Sequence, residues 1–324
     1  MRLEREHVMA TLRTPSRWRI WEIAVWLVIW AVPFALPEHA ALINEIAILA
    51  LFALSLDLIL GYAGIVSLGH AAFFGLGAYG AALFAKHVMP DPLVGLVVGT
   101  ALGALLGALT SPMIVRGTDL TRLMVTMGVA LVLLELANKF DDLTGGTDGL
   151  QGVVMGPLLG RFAFDLGGRV AAFYSITVLF TAFALLRQVV HSPLGMSIQA
   201  LRDNRLRLAA MGHSVNARLG VVYTAAAAVA GAAGALLAQT TGFASLDVLE
   251  FHRSADVMLA LVIGGAGWLW GGLIGAIAFK VMHDLLSAIT PQYWTFWIGL
   301  FLVVLMLVGR DRLFHPTRWF ARRA

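Results

Sequence analysis

The stretch SLGHAAFFGLGAYG, residues 67–80, decides between two classes of fold. Its glycines Gly75, Gly77 and Gly80 have the spacing G-x-G-x-x-G, which marks a dinucleotide-binding turn in soluble enzymes. Such a turn follows a β-strand, opens a helix and needs an acidic residue about 20 residues later. Here the glycines lie inside an apolar run of membrane length, without any βαβ pattern around them. We therefore predict a membrane segment rather than a nucleotide site.

The composition of the whole chain agrees with this prediction. Of 324 residues, 59% are hydrophobic and 13% are charged, whereas soluble domains are about 45–50% apolar and about 25% charged. So little charge excludes a water-soluble fold of this size and indicates a polytopic membrane protein. The chain has no cysteine, which excludes disulfides, thiolate metal sites and a cysteine nucleophile.

Apolar runs long enough to cross about 30 Å of hydrocarbon recur along the chain. They predict an all-α, polytopic membrane helix bundle of about ten transmembrane helices. The Gly-rich run 64–85 is open to two interpretations, a continuous helix or a broken, re-entrant one. The run 254–290 forms either two short helices or an interrupted hairpin around GGAGWLWGG. The predicted spans are 20–36, 42–60, 64–85, 92–114, 120–138, 170–189, 218–240, 254–268, 272–290 and 294–309.

Basic residues set the predicted orientation. The segments 1–19, 115–122, 187–219 and 310–324 carry 17 Arg, whereas the segments on the opposite side carry 5 Lys or Arg. Because cytoplasmic loops are enriched in these residues, the bias places both termini in the cytoplasm. The prediction is an Arg-rich cytoplasmic segment 1–19, a transmembrane domain 20–309 and a basic cytoplasmic tail 310–324. The same bias explains the net charge of +4 without a nucleic-acid partner.

Motifs for chemistry or nucleotide binding are missing from the sequence. The Gly-rich stretch TGGTDGLQG, residues 144–152, lacks the Lys-Ser/Thr pair of a phosphate-binding P-loop. No spacing typical of a hydrolase or a metal site occurs either. We expect a protein that is not an enzyme and holds no metal or cofactor, so any ATP would be bound by another subunit.

Ionisable side chains inside the apolar runs are candidates for a transport role. Each charge at a helix centre costs on the order of 2.5–3.5 kcal/mol, so these residues usually face a bundle interior or a water-filled path. Those near a span end also reach water, which leaves a structural role open. They are Glu45, Asp57, His70, Glu135, Asp256, Lys280 and Asp284.

The loop 191–217 has the clearest helical pattern outside the spans. Ser192 and Pro193 are typical of a helix start and Gly212 of a helix end, which predicts one short helix over residues 194–212. An apolar stripe makes this helix amphipathic, so lipid headgroups and a partner protein are both possible binding surfaces. The stripe consists of Ile198, Leu201, Leu208 and Met211.

Four sequence blocks resemble one family in the same order. They are LSLDLILGYAGIVSLGHAAFFGLGAYGAAL (54–83), TGGTDGL (144–150), SPLGMSIQALRDNRLRLAAMGHSV (192–215) and SADVMLALVIGGAGWLWGGLIGA (254–276). The chain resembles the LivM-type permease subunits of branched-chain amino acid ABC importers, from about residue 42 to about residue 308. The wider family includes sugar and urea permeases. The motif SLGHAAF-x-G-x-GAY, residues 67–79, is most similar to its amino-acid and urea members.

The resemblance implies a multi-pass subunit of the bacterial inner membrane. Such a permease pairs with a second, related permease, rests on two cytoplasmic ATP-binding subunits and receives substrate from a periplasmic binding protein. ATP is then hydrolysed by the partners, and the chain itself performs no covalent chemistry. A permease for urea or short amides is the alternative within the family. An autonomous ion-coupled carrier or channel is the alternative from a different class.

The resemblance also assigns the loop 191–217 to coupling with an ATPase. Where the family's loop usually reads R-E-N-E-x-A-A-E-A-x-G, this chain has Arg205, Arg207 and Ala209, so that bases replace acids, and Asp57 stands where Asn is common. The implied coupling residues are Arg202, Asp203, Asn204, Arg205, Leu208, Met211 and Gly212.

A substrate pathway through residues 67–80 is a further hypothesis. Glycine clusters permit unwound backbone beside a pathway, and small residues equally permit close helix packing. The two roles can coexist. The residues assigned to the pathway are Asp57, Ser67, His70, Gly75, Gly77, Tyr79, Glu135 and Asp256.

Overall fold

The computed structural model describes residues 18–165, 167–212 and 214–308, so most of the predicted segment 1–19 and the tail 310–324 lie outside it. In the described ranges the chain is helical, and strand-like pairing is confined to two isolated bridges. The helices are α1 (Ile20–Ala35), α2 (Ala40–Asp57), α3 (Ala71–His87), α4 (Pro92–Arg116), α5 (Asp119–Lys139), α6 (Asp141–Thr144), α7 (Arg169–Val190), α8 (Pro193–Asp203), α9 (Arg205–Ala210), α10 (Val215–Thr241), α11 (Phe251–Gly264), α12 (Leu269–Ile289) and α13 (Trp294–Val308).

Ten of these helices coincide in order with the ten predicted spans, which confirms an all-α membrane bundle. Among the described residues, six helical segments are long and apolar enough to cross a membrane on their own. The remaining four, α1, α3, α11 and α13, have 16, 17, 14 and 15 residues. The count of ten spans therefore stays a prediction. The six segments are Pro37–Tyr62, Pro92–Arg116, Asp119–Lys139, Arg169–Val190, Val215–Thr241 and Leu269–Ile289.

Both ambiguous runs are broken by glycine. A π-helical turn at Leu58–Tyr62 follows α2, and Gly64 then adopts a φ of +69°. Positive φ costs glycine little, so the helix ends there and α3 begins only at Ala71. The second run becomes the separate helices α11 and α12, because Gly265 and Gly267 have φ values of +95° and +84°.

A stripe of small residues packs α4 and α3 against α10. A Cβ added to Gly231 would lie 2.5 Å from the Gly99 carbonyl oxygen. A Cβ added to Gly77 would lie 2.1 Å from the Gly231 carbonyl oxygen. No side chain fits at such distances, so the backbones of the three helices touch. This is the close approach that small residues permit between membrane helices.

A buried ion pair joins α1 to α7. Arg187 Nη1 lies 2.8 Å from Glu22 Oε1, and both side chains are buried. The Arg187 guanidinium also lies 4.7 Å from the ring centroid of Trp18. Removing either charge would break this buried pair, which is strongly destabilising.

Candidate functional site

The stretch 67–80 carries two buried polar side chains near its start, Ser67 and His70. The Ser55 hydroxyl donates to the Phe52 carbonyl at 2.6 Å, so Ser55 Oγ accepts the 2.8 Å hydrogen bond from His70 Nε2. This leaves His70 Nδ1 as an acceptor, and it has no partner among the described residues. The Ser67 hydroxyl is likewise buried without a partner in that part of the chain. Buried polar groups without partners are uncommon and call for an explanation.

The glycines of the same stretch face helices of their own chain. An added Cβ at Gly75 would lie 2.3 Å from Leu249 Cδ2, and Gly77 abuts Gly231 of α10. Tyr79 is buried nearby, and its hydroxyl has no hydrogen-bond partner among the described residues. Close packing explains the glycines, and the pathway role of this segment stays a prediction.

A cavity of about 490 Å³ opens where α2 begins and α10 ends. Its volume lies in the range of small-molecule sites. The rim is charged with both signs and the floor is apolar. The rim residues are Glu45, Asp247, Arg253, Asp256, Lys280 and His283, and the main floor residues are Ile48, Leu49, Phe52, Phe74, Leu237 and Phe279.

Two ion pairs organise the rim. Lys280 Nζ of α12 lies 2.5 Å from Glu45 Oε2 of α2. Arg253 Nε of α11 donates to Asp247 Oδ2 at 2.9 Å. Both pairs are partly exposed to solvent. Because water reaches the pairs, a charged ligand can replace one partner at modest cost.

The predicted pathway residues do not form one cluster. Of the eight, Asp256 is the one that lines the cavity. Glu135 lies on the exposed face of α5, and Asp57 is fully buried at the opposite end of α2. Glu45 and Lys280 were recognisable as charges within apolar runs, but their pairing across the fold was missed.

Asp57 belongs to a junction at the other end of the bundle. Its Oδ1 accepts from the Gly267 backbone N–H at 2.6 Å, in the bend between α11 and α12. Arg202 of α8 donates from Nη1 to the Gly61 carbonyl in the neighbouring π turn. Asp57, predicted for the pathway, and Arg202, predicted for coupling, therefore lie at the same junction.

The prediction of one helix over 194–212 is wrong. Asn204 is extended, with φ −159° and ψ 102°, and separates α8 from α9. Its side chain accepts from the Arg207 backbone N–H at 2.9 Å and so caps α9. Asparagine is a strong N-cap, which is the physical reason for the break. Gly212 follows α9 with a φ of +80°.

The apolar stripe of this loop mostly faces its own bundle. Ile198, Leu201 and Leu208 are buried, and Leu208 is only 4% exposed. Met211 is 68% exposed, and Leu206, which the periodicity did not single out, is 84% exposed. The outer surface of the loop is therefore carried by Met211 and Leu206 together with the exposed Asp203 and Arg207.

Comparison with known proteins agrees with the membrane architecture. The family described as the permease component of the branched-chain amino acid transport system matches residues 39–308. Two relatives, from Salmonella typhimurium and Escherichia coli, are each named high-affinity branched-chain amino acid transport system permease protein LivM. Each is 26% identical to this chain over 291 residues, covering 82% of the chain and 67% of the relative. No solved structure matches the chain.

Among the described residues, no three metal-ligating side chains lie close enough together to hold a metal ion.

The family match extends over most of the chain and over both features described above, the cavity and the loop. The chain is thus a multi-pass membrane protein that belongs to the family of branched-chain amino acid transport permease components, which are transport proteins and not enzymes.

Proposed function

We propose that the chain is a permease subunit of an ATP-binding-cassette importer for branched-chain amino acids. The observation that carries this proposal is the 490 Å³ cavity, with charges of both signs above an apolar floor. An amino acid of this class has an ammonium, a carboxylate and an aliphatic side chain. The cavity offers a complementary surface for each of the three.

The rim charges have distinct roles on this proposal. Lys280 and Arg253 attract the substrate carboxylate, and Glu45 and Asp256 attract its ammonium group. The aromatic and aliphatic floor accommodates the aliphatic side chain by apolar burial. Since Lys280 is paired with Glu45 and Arg253 with Asp247, and both pairs are partly exposed to water, the substrate exchanges partners with them and leaves again without being trapped.

The charge bias of the sequence supports the orientation. With 17 basic residues on one side and 5 on the other, the cavity opens to the periplasm and the loop 191–217 faces the cytoplasm. A periplasmic binding protein would deliver substrate to the cavity end. The membrane is the bacterial inner membrane, as for an importer that hydrolyses cytoplasmic ATP.

The exposed face of α5 supports a second permease as partner. This face carries Leu120, Met124, Leu131 and Glu135. Glu135 lies one turn from the end of α5, where a charge that faces lipid is still unfavourable, and a second permease would offer it polar surroundings. The opposite side of α5 contacts residues 67–80, since the Leu68 backbone N–H donates to Thr126 Oγ1 at 3.3 Å.

Two cytoplasmic ATP-binding subunits are proposed to dock on the outer surface of the loop. Changing Leu206 and Met211 to Asp should release the ATPase, because these exposed apolar side chains would be covered by it. Co-purification of ATPase with the permease measures docking. Val154, exposed in the loop at the cavity end, gives the control V154D. Undiminished ATPase in the double variant would rule out this docking surface.

A further inference from the structure

Arg202 occupies a slot between two bends of the backbone. A Cβ at Gly64 would lie 2.8 Å from Arg202 Cγ, and a Cβ at Gly267 would lie 3.1 Å from Arg202 Nη1. Both glycines also have positive φ, +69° and +84°. Side chains at these positions would crowd the Arg202 stem or its guanidinium. The slot therefore exists because both bends are made by glycine.

The same two bends are tied together by Asp57. Its Oδ1 accepts from the Gly267 N–H at 2.6 Å, while a Cβ on Gly61 would lie 2.0 Å from that oxygen. Asp57 is fully buried, and its second oxygen has no hydrogen-bond partner among the described residues. Asp57 and Arg202 therefore approach the same glycine, Gly267, from two sides: Asp57 accepts from its backbone N–H, and a Cβ on it would lie 3.1 Å from Arg202 Nη1.

The helices that meet at this junction also form two walls of the cavity. The junction joins the end of α2 to the start of α12, and Glu45 and Lys280 join the same two helices at the cavity. Twelve residues separate Glu45 from Asp57, which corresponds to about 18 Å of helix. Helix α11 ends at the junction and carries Asp256 on the cavity rim.

We propose that Arg202 is a positioning residue that couples the loop 191–217 to the cavity. By holding the bend between α11 and α12 against the end of α2, it converts a displacement of the loop into a change in the spacing of the cavity walls. Arginine suits this role because its long side chain ends in a planar group of N–H donors, one of which donates to the Gly61 carbonyl. This inference rests on the proposed function in one respect, namely that the ATP-binding subunits move the loop.

The first test is uptake per ATP hydrolysed by the complete importer carrying R202M. We expect the ATPase to remain bound and hydrolysis to continue, while leucine uptake per ATP falls about tenfold, within the range typical of coupling between sites. The matched control is R116M, because Arg116 is an exposed arginine at the end of α4, outside the loop 191–217. An unchanged ratio, or a loss of uptake explained entirely by lost ATPase, would overturn the proposal.

The second test needs neither ATP nor substrate. The chain has no native cysteine, so I48C places a single thiol on the buried floor of the cavity. We expect R202M to raise its labelling rate by a membrane-impermeant maleimide at least about fivefold, with R116M unchanged. Equal labelling in all three backgrounds would overturn the coupling. Since this readout is independent of the importer assignment, the two proposals fail separately.

Discussion

Replacing Lys280 by methionine should slow transport far more than it destabilises the protein. If the ammonium group holds the substrate carboxylate, K280M removes a charge-assisted hydrogen bond of about 1.5–3 kcal/mol. At about 1.4 kcal/mol per tenfold change, uptake at low leucine concentration should fall about 10- to 150-fold. Because the Lys280 side chain is 24% exposed, solvent weakens the bond, and we expect the lower end of that range.

The expected effect of K280M on folding is small. The carboxylate of Glu45 loses its partner, but its side chain is 47% exposed and remains hydrated. Partly exposed ion pairs contribute about 0–1 kcal/mol to the free energy of unfolding. The melting temperature of the purified subunit should therefore stay close to that of the unchanged protein.

The assay for K280M is the initial rate of labelled leucine uptake into proteoliposomes that contain the complete importer. Lys86 provides a matched control, because its ammonium donates to the Gln151 carbonyl at 3.2 Å in an exposed position outside the cavity. K86M should transport normally. Normal uptake by K280M would refute the substrate role of Lys280. A loss of stability large enough to explain the lost uptake would show that the Lys280–Glu45 pair is structural instead.

Three further predictions concern packing, charge and topology. G77A should lower the melting temperature, because its Cβ would lie 2.1 Å from a backbone oxygen and overpacking of this kind costs about 1–3 kcal/mol of stability. The control G128A, with nothing within 4 Å of the added Cβ, should leave the melting temperature unchanged. Equal melting temperatures of the two variants would exclude the contact. R187M should reduce the free energy of unfolding by about 3–5 kcal/mol, and a native-like denaturation curve would contradict its buried pairing. Cysteines at Thr147 and Arg205 should react with impermeant reagents from opposite sides of the membrane, and labelling from one side would overturn the topology.

The positions of the helices were predictable because hydrophobic length and glycine act locally. Apolar runs gave ten helices in the correct order, and the two Gly-rich runs were recognised as possible breaks. Which glycine ends a helix depends on its backbone angle, as for Gly64 and Gly267. The sequence limits the candidates, but the tertiary contacts select among them.

The cavity could not be predicted because its charges come from distant parts of the chain. Glu45 and Lys280 are far apart in sequence and meet only when α2 packs against α12. The periodicity of single segments carries no information on such a meeting. Opposite charges in two apolar runs were the available signal, without any indication of which charges would pair.

The loop shows a different limit of pattern-based prediction. The stripe through Leu208 was correctly apolar, yet a stripe does not reveal whether it faces the chain's own bundle or a partner. One helix was predicted to run through Asn204, whereas its side-chain hydrogen bond caps the start of α9. Both outcomes depend on tertiary structure.

The most direct test of the central claim is leucine uptake into proteoliposomes with and without the partner subunits. The account predicts uptake only when the second permease, the ATP-binding subunits, the binding protein and ATP are all present, with isoleucine and valine competing and urea not competing. Uptake by this subunit alone without ATP would identify an autonomous carrier or channel instead. ATP-driven uptake of urea in place of leucine would contradict the proposed substrate.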